Sequence, residues 1–434
     1  MVSRLSAPAA RASYAYIVAA TALIVVGIAL RLDWALTITP GLGSEARWYQ
    51  SHALSLANGE GYHEDGLPTA YHPIGYPAFL ALLYWCFGPE PVVGRLGNTA
   101  LSLVTLVGVH GLAFWFSRSR STALAALGCF VFYPADIGFI GTTLSELLFN
   151  ALALAGTLCF VRRRARPPPH VLAAGALFGL ASLTRQQGVV LPVLCALAAL
   201  VSDPPRVWLK DLSALGLSFA LVMAPWSVRN AERFGAFIPI ATNGGMNLYI
   251  GNNPYARGCY KFEDRMRKPF QRAIAGPLRG GPNELLADRL ASELAFDFMR
   301  RHPDAVRRLW PLKLSCLFAH DVSFRNFQRR IPEAQGRQLS RLKSCAEGLF
   351  VPLLWLGGVG AALSVIELTL SARLRRAQIW FPAAVIASFV LLHLLTFGDP
   401  RFHHPIMPWW MIFVGHALSA PLRWLRACQG RPSA

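Results

Sequence analysis

Residues Glu45 to Gly61 read EARWYQSHALSLANGEG, and a little further on Tyr71 to Gly88 read YHPIGYPAFLALLYWCFG. In the first stretch Trp48, Tyr49, His52, Leu54 and Leu56 are spaced to form one apolar side of a short helix, too short to cross a bilayer. In the second, an apolar run bounded by Pro77 and Gly88 also falls below crossing length. Both are read as interfacial or re-entrant helices that hold Glu45 near the plane of the lipid headgroups.

That reading needs a membrane on either side, and the rest of the chain provides one. Of 434 residues 54% are hydrophobic and only 15% charged, which excludes a solvated globular domain. Apolar stretches of roughly spanning length occur at 14–32, 95–116, 121–139, 142–161, 169–184, 187–202, 211–227, 345–370, 378–397 and 404–421. The expected fold class is an all-α polytopic membrane protein of about 10 transmembrane helices. A formal charge of +19 would suggest nucleic acid in a soluble chain, but here it is divided between two membrane faces, and no nucleic-acid partner is expected.

Short basic connections set the orientation. Arg4 and Arg11, Arg118 and Arg120, Arg162, Arg163, Arg164 and Arg166, Arg206 and Lys210, the Arg373 to Arg376 cluster, and Arg423 and Arg426 all fall on one face if the spans alternate. The positive-inside rule makes that face, and both termini, cytoplasmic. The long segments 33–94 and 228–344 are then extracytoplasmic, and function is expected there. The second carries 21 basic residues against 10 acidic ones, yet long translocated loops are largely exempt from the charge rule. The chain is expected to divide into an N-terminal membrane region (1–227) with the first outer loop (33–94) as the candidate catalytic segment, an outer loop region (228–344) and a C-terminal membrane region (345–434). The basic, apolar start lacks a small-residue cleavage site and is read as a retained first span. Of eight cysteines, Cys259, Cys316 and Cys345 lie on or near the outer face, where one disulfide or unpaired thiols are both open.

A carboxylate at the headgroup plane can accept a proton from an attacking hydroxyl or amine. The alternative for Glu45 is that it only favours the start of its helix through the dipole.

The first outer segment resembles that of the polyprenyl-phosphate-sugar-dependent glycosyltransferases of the GT-C fold, the bacterial relatives of protein O-mannosyltransferases and the aminoarabinose lipid A transferase. The pattern there is Asp-x3-Tyr-x3-Ala-x2-Leu-x2-Gly-x-Gly, and Glu45, Tyr49, Ala53, Leu56, Gly59 and Gly61 occupy it, with Glu45 where the family has Asp. HPIGYP, opening at His72, is similar to the family's PPGYP. The resemblance continues through YPADIGFIGTTLSELLF (Tyr133 to Phe149), GLASLTRQQGVVLP (Gly179 to Pro192), PWSVRNAERFGAFIPIATNGGMNLYIGNNP (Pro225 to Pro254) and GDPRFHHPIMP (Gly398 to Pro408).

Glu146 and Arg185 fall near outer span ends, where ionisable groups are costly unless paired or solvated. A structural pair and a site role are both open, and the resemblance implies the second. Arg185, Arg229 and Arg401 are the arginines expected around a lipid phosphate, since the planar fork gives two parallel hydrogen bonds and a permanent charge. Arg229 is also read as meeting headgroups. Arg401 looks like the family's Arg-Tyr pair, with Phe402 replacing Tyr. Tyr49, His72, Glu146, Asn247, Asn252 and Asn253 are the expected substrate contacts; for the three asparagines, in a Gly/Asn-rich stretch, turn formation is the alternative. From Asn283 to Trp310 the apolar spacing indicates one or two Arg-rich amphipathic outer helices. His403 and His404 beside Asp399 are of metal-ligating type, but two adjacent histidines do not make a ligand set. A divalent metal is the less favoured reading and no other cofactor is expected.

The resemblance implies an inverting glycosyltransferase of the inner or plasma membrane. It would take a sugar from a polyprenyl-phosphate donor to an envelope acceptor (lipid, glycan or protein), with Glu45 as general base and arginines on the departing phosphate. The rivals are a transporter or flippase of lipid-linked sugars, which no internal repeat supports, and a non-catalytic relative that binds the carrier lipid.

Overall fold

The computed structural model describes residues 7–39, 43–164, 168–321, 333–370 and 377–428. The chain begins with α1 (Ala7–Thr37), followed by α2 (Ser44–Ala57), a small hairpin of β1 (His63–Glu64) and β2 (Leu67–Pro68), and α3 (Gly75–Phe87). A first bundle follows: α4 (Pro91–Ser117), α5 (Arg120–Val131), α6 (Pro134–Ile140), α7 (Glu146–Val161), α8 (Pro169–Thr184), α9 (Val190–Ser202) and α10 (Pro205–Phe234). Next come α11 (Gly244–Gly251), α12 (Asp264–Ala273), α13 (Pro282–Arg301) and α14 (Pro303–Leu317), and last α15 (Glu333–Leu370), α16 (Ala377–Leu395) and α17 (Met407–Cys428).

Each apolar stretch singled out in the sequence is helical, and the two outer stretches at 45–61 and 71–88 form the short helices α2 and α3. Among the described residues, four helices are long and apolar enough to cross a membrane alone: Ser13–Thr37, Pro91–Ser117, Pro205–Phe234 and Gln335–Glu367. The stretch expected as one span at 121–139 is broken instead. Pro134 cannot continue α5, Tyr133 before it is extended (ψ 110), and α6 departs at 51°. The break frees carbonyls at the end of α5, and Arg31 of α1 takes them, donating to the oxygens of Val131 (3.1 Å) and Phe130 (3.3 Å). Its charge is met by Asp136 of α6 at 2.8 Å, both side chains being fully buried. A charge at that depth is tolerable because it is paired and fully hydrogen-bonded.

Small residues let the helices approach. Gly175 of α8 lies against the Leu215 carbonyl and Ser218 of α10, and Gly360 of α15 against the Phe413 carbonyl of α17, where a Cβ has no room. Facing away from the bundle, Val25, Leu217, Leu221 and Trp355 are exposed, as lipid-facing side chains are. On the side assigned to the cytoplasm, Arg163 binds Asp203 and Asp211, tying the end of α7 to the start of α10. Arg4, Arg166 and the 373–376 cluster lie outside the described residues.

The outer segments form one layer over the bundle. Asn283 to Trp310 is two helices, divided where Pro303 opens α14. Cys259 and Cys316 form a disulfide and Cys345 is free. Glu284 of α13 is buried and accepts four hydrogen bonds: Thr69 Oγ1 (2.6 Å), Ala70 N (2.8 Å), Thr242 Oγ1 (2.6 Å) and Gly280 N (2.8 Å). It joins the first outer segment to the second.

Replacing Glu284 by Ala strands those buried donors, at about 1–3 kcal/mol for each one left unsatisfied. The expected outcome is a large fall in the melting temperature of the detergent-purified protein, with Glu284→Gln intermediate. An unchanged melting temperature for Glu284→Ala would show that the two segments are not held together there.

Candidate active site

Gly43 is extended, letting α2 start at Ser44 and placing Glu45 in the first turn, where the helix dipole favours a carboxylate. The helix buries its aromatic side. Trp48 stacks on His52 with centroids 3.6 Å apart and donates Nε1 to Glu64 at 2.7 Å, so Glu45 is left facing a cavity. Opposite, the backbone between α16 and α17 turns through Pro400–His403. There Asp399 caps the turn by accepting from Arg401 N at 2.9 Å.

Arg401 meets Glu45 through both terminal nitrogens, Nη1 to Oε2 at 2.5 Å and Nη2 to Oε1 at 3.1 Å. Its Nε donates to Glu146 Oε1, at the first turn of α7. The same oxygen accepts from Arg185 Nη1 at 2.9 Å, and Arg185 also reaches Ser145 Oγ at 3.0 Å. Two carboxylates and two guanidiniums therefore alternate along one line. Glu146 is fully buried, whereas the Glu45 side chain keeps 34% of its exposure. Glu146 Oε2 and Arg185 Nε have no hydrogen-bond partner within the protein.

Burial pushes the Glu45 carboxyl up, but Arg401 more than reverses this and, with Arg185 adding, holds it at about 2. His72 adds to that effect only when protonated. Burial pushes its imidazole down to about 4 against the opposing pull of Glu45, so it is neutral at pH 7.

The cavity measures about 470 Å³. Of the residues singled out in the sequence, Glu45, Tyr49, His72, Arg185, Asn247 and Arg401 line it, and Glu146 lies behind the two arginines. The other three are placed elsewhere. Arg229 spends its donors on the carbonyls of Tyr62 (2.6 Å) and Thr69 (2.8 Å) and stacks on Trp226, bracing the first outer segment against α10. Asn252 binds the carbonyls of Leu248 and Leu395 and accepts from Lys313 Nζ at 3.0 Å. Asn253 caps the end of α11 through the Tyr249 carbonyl and accepts from Tyr255 N, which is the turn role. His403 and His404 do not converge with Asp399: His403 binds the Leu317 carbonyl and Asp321, and His404 lies beside Asn150.

Sequence reasoning passed over Arg279, Tyr71, Tyr260, Gln186 and Asn243, all of which line the cavity. Arg279 lies 4.2 Å over the Tyr71 ring, directed by the turn at Gly280 and Gly281, both at positive φ. Its one signal was a Gly-Gly pair after an arginine, which says nothing of a partner 208 positions away.

Apolar helices beneath a layer of outer helices, with the cavity between them, make a polytopic helical membrane protein. The Archaeoglobus fulgidus oligosaccharyltransferase, solved tethered through a disulfide bond to an acceptor peptide containing the NVT sequon, matches with a TM-score of 0.53 at 14% identity. The match covers 95% of this chain and 50% of that one, so this chain spans half the length of that structure. ArnT from Cupriavidus metallidurans, bound to undecaprenyl phosphate and in the apo state, matches with a TM-score of 0.42 at 15% and 14% identity, covering 94% of this chain and 78% of that one. In sequence, residues 71–228 match the model of the dolichyl-phosphate-mannose-protein mannosyltransferase family. No curated protein matches the chain significantly. The resemblance to GT-C glycosyltransferases is borne out.

Two outcomes follow from the geometry. Glu146→Ala removes the buried counter-ion of two arginines and is expected to cost about 3–5 kcal/mol, against less than about 1 kcal/mol for the partly exposed Glu45→Gln; thermal unfolding compares them. For His72 the folded value near 4 lies below the ordinary 6.5, so the unfolded chain binds the proton first and stability falls as pH drops from 6.5 to 4. A His72→Gln variant is expected to lose stability less steeply across that window, and parallel curves would refute the assignment.

Proposed function

We propose that this protein is an integral membrane glycosyltransferase that takes a sugar from a polyprenyl-phosphate-linked donor to an envelope acceptor on the extracytoplasmic face. The observation that carries the reading is the convergence of Glu45, Arg401 and Arg185 on one cavity. The family matched over 71–228 is named for sugar transfer from a lipid-phosphate donor, which supports the same donor class here. The Cys259–Cys316 disulfide supports an oxidising compartment for the outer layer. Arg118, Arg120, Arg206 and Arg423, at the opposite helix ends, support cytoplasmic termini.

The reaction is an inverting displacement. The acceptor oxygen attacks the anomeric carbon, its proton goes to Glu45, and the bond to the phosphate oxygen breaks with the electron pair leaving on phosphate. Arg401 and Arg185 stabilise that charge, and phosphate leaves without a separate acid. Tyr49, His72 and Asn247 offer hydrogen-bonding groups to the sugar or acceptor, with neutral His72 able both to donate and to accept.

The test is release of free polyprenyl phosphate from radiolabelled polyprenyl-phosphate sugars by purified protein in liposomes, with a cell-envelope extract as acceptor. Glu45→Gln is expected to lose about 10²–10⁴-fold in turnover while still binding carrier, and Arg401→Gln and Arg185→Gln to lose about 10²–10³-fold. Arg229→Gln is expected to lower stability with turnover per folded molecule retained. Carrier binding without release by wild type, across the sugars tried, would overturn the transferase reading in favour of a carrier-binding relative.

A further inference from the structure

Arg401 is anchored at one edge and occupied at the other. Its Nε is held by fully buried Glu146, which Arg185 grips in turn. Its Nη1 and Nη2 form a planar fork that the Glu45 carboxylate fills with two hydrogen bonds. A phosphate uses that same edge of a guanidinium, through two parallel N–H···O bonds, so carboxylate and phosphate exclude one another there. Glu45 is the member of the cluster able to leave: it is the most exposed and sits on the first turn of a short helix.

We propose that Glu45 is an internal stand-in for the donor phosphate, and that the donor's phosphate must displace it from the Arg401 fork before Glu45 can accept the acceptor's proton. The inference rests on the transferase reading above. It orders the reaction, with donor first and acceptor second, because no base is free until the fork has changed hands. While bound to Arg401 the carboxylate is held at about 2, too weak a base for a hydroxyl. Once released, the carboxylate loses its two hydrogen bonds to Arg401, and with them the largest influence that had offset its partial burial, so its basicity rises although Arg185 still opposes the rise. After transfer Glu45 carries the acceptor's proton and, being neutral, cannot compete for the fork. When that proton passes to water, the ionised carboxylate competes for the fork again and so favours release of the carrier phosphate.

Binding of undecaprenyl phosphate to the full chain in detergent tests this. If Glu45 occupies the fork about nine-tenths of the time, Glu45→Gln and Glu45→Ala are expected to bind about tenfold more tightly than wild type. In wild type, undecaprenyl phosphate is expected to speed carbodiimide modification of Glu45, read by peptide mass, and to leave exposed Glu60 unchanged. Equal or weaker binding by both variants at an unchanged melting temperature would overturn the exchange, as would protection of Glu45 by the phosphate. Unchanged binding by Arg401→Gln would overturn it too, yet leave the transferase reading standing. No binding by wild type or either variant would remove the carrier reading and the exchange together.

Discussion

One carboxylate oxygen organises the candidate site. Oε1 of Glu146 accepts from Arg401 Nε and from Arg185 Nη1, joining the start of α7, the end of α8 and the turn before α17. A fully buried carboxylate at that depth is costly by itself, and two guanidiniums around it are costly by themselves. Together they compensate one another and leave the Arg401 fork to Glu45. The position of everything else in the cavity is measured from that fork.

The outer layer then has to bring Glu45 to the fork and keep it there. The Glu284 hub ties the first outer segment to residues 242 and 280, and Arg229 pins the same segment from the side of α10. The turn that carries Arg401 is held from the other side. Lys313 of α14 donates to the Leu394 carbonyl at 2.9 Å, Gly398 N donates to the Gly258 carbonyl at 2.8 Å, and the disulfide joins residue 259 to α14. Glu45 and Arg401 therefore meet across two braced walls, one from each end of the chain, so their contact need not hold the fold together. A contact free of that duty can be exchanged for a ligand.

Much of the architecture was legible because apolar length and helical spacing are local properties. They mark the spans, the two short helices around Glu45 and the helices α13 and α14. The break inside 121–139 was marked as well, by Pro134, but apolarity on both sides concealed it. Residue type told less about the site. An arginine or asparagine announces donors, and only the fold decides who takes them: for Arg229 and Asn252 the takers are backbone carbonyls, while Arg401 keeps its fork for a carboxylate 356 positions away. Glu146 and Arg185 were legible both as a pair and as candidate site residues; the geometry shows the pair, with Arg185 on the cavity and Glu146 behind it. Arg279 was missed because nothing local connects it with Tyr71.

Two departures from the family pattern acquire a physical sense from this arrangement. Glu45 reaches Arg401 with both oxygens from the first turn of α2. An Asp, one methylene shorter, would fall short by about 1.5 Å, lengthening both hydrogen bonds beyond useful range unless α2 moved. The glutamate is therefore long enough to close the fork on its own arginine, and an aspartate at position 45 would not be with α2 where it stands. Phe402, where the pattern has Tyr, has no hydroxyl to offer. Its ring lies 5.6 Å beneath the Arg185 guanidinium and stacks on His393 at 4.8 Å. A hydroxyl there would be a further hydrogen-bonding group near the arginines, whereas a bare ring leaves their charge to Glu146 and to whatever anion enters. Both substitutions bear on the same quantity, the competition for Arg401 between the protein's own carboxylates and an incoming phosphate.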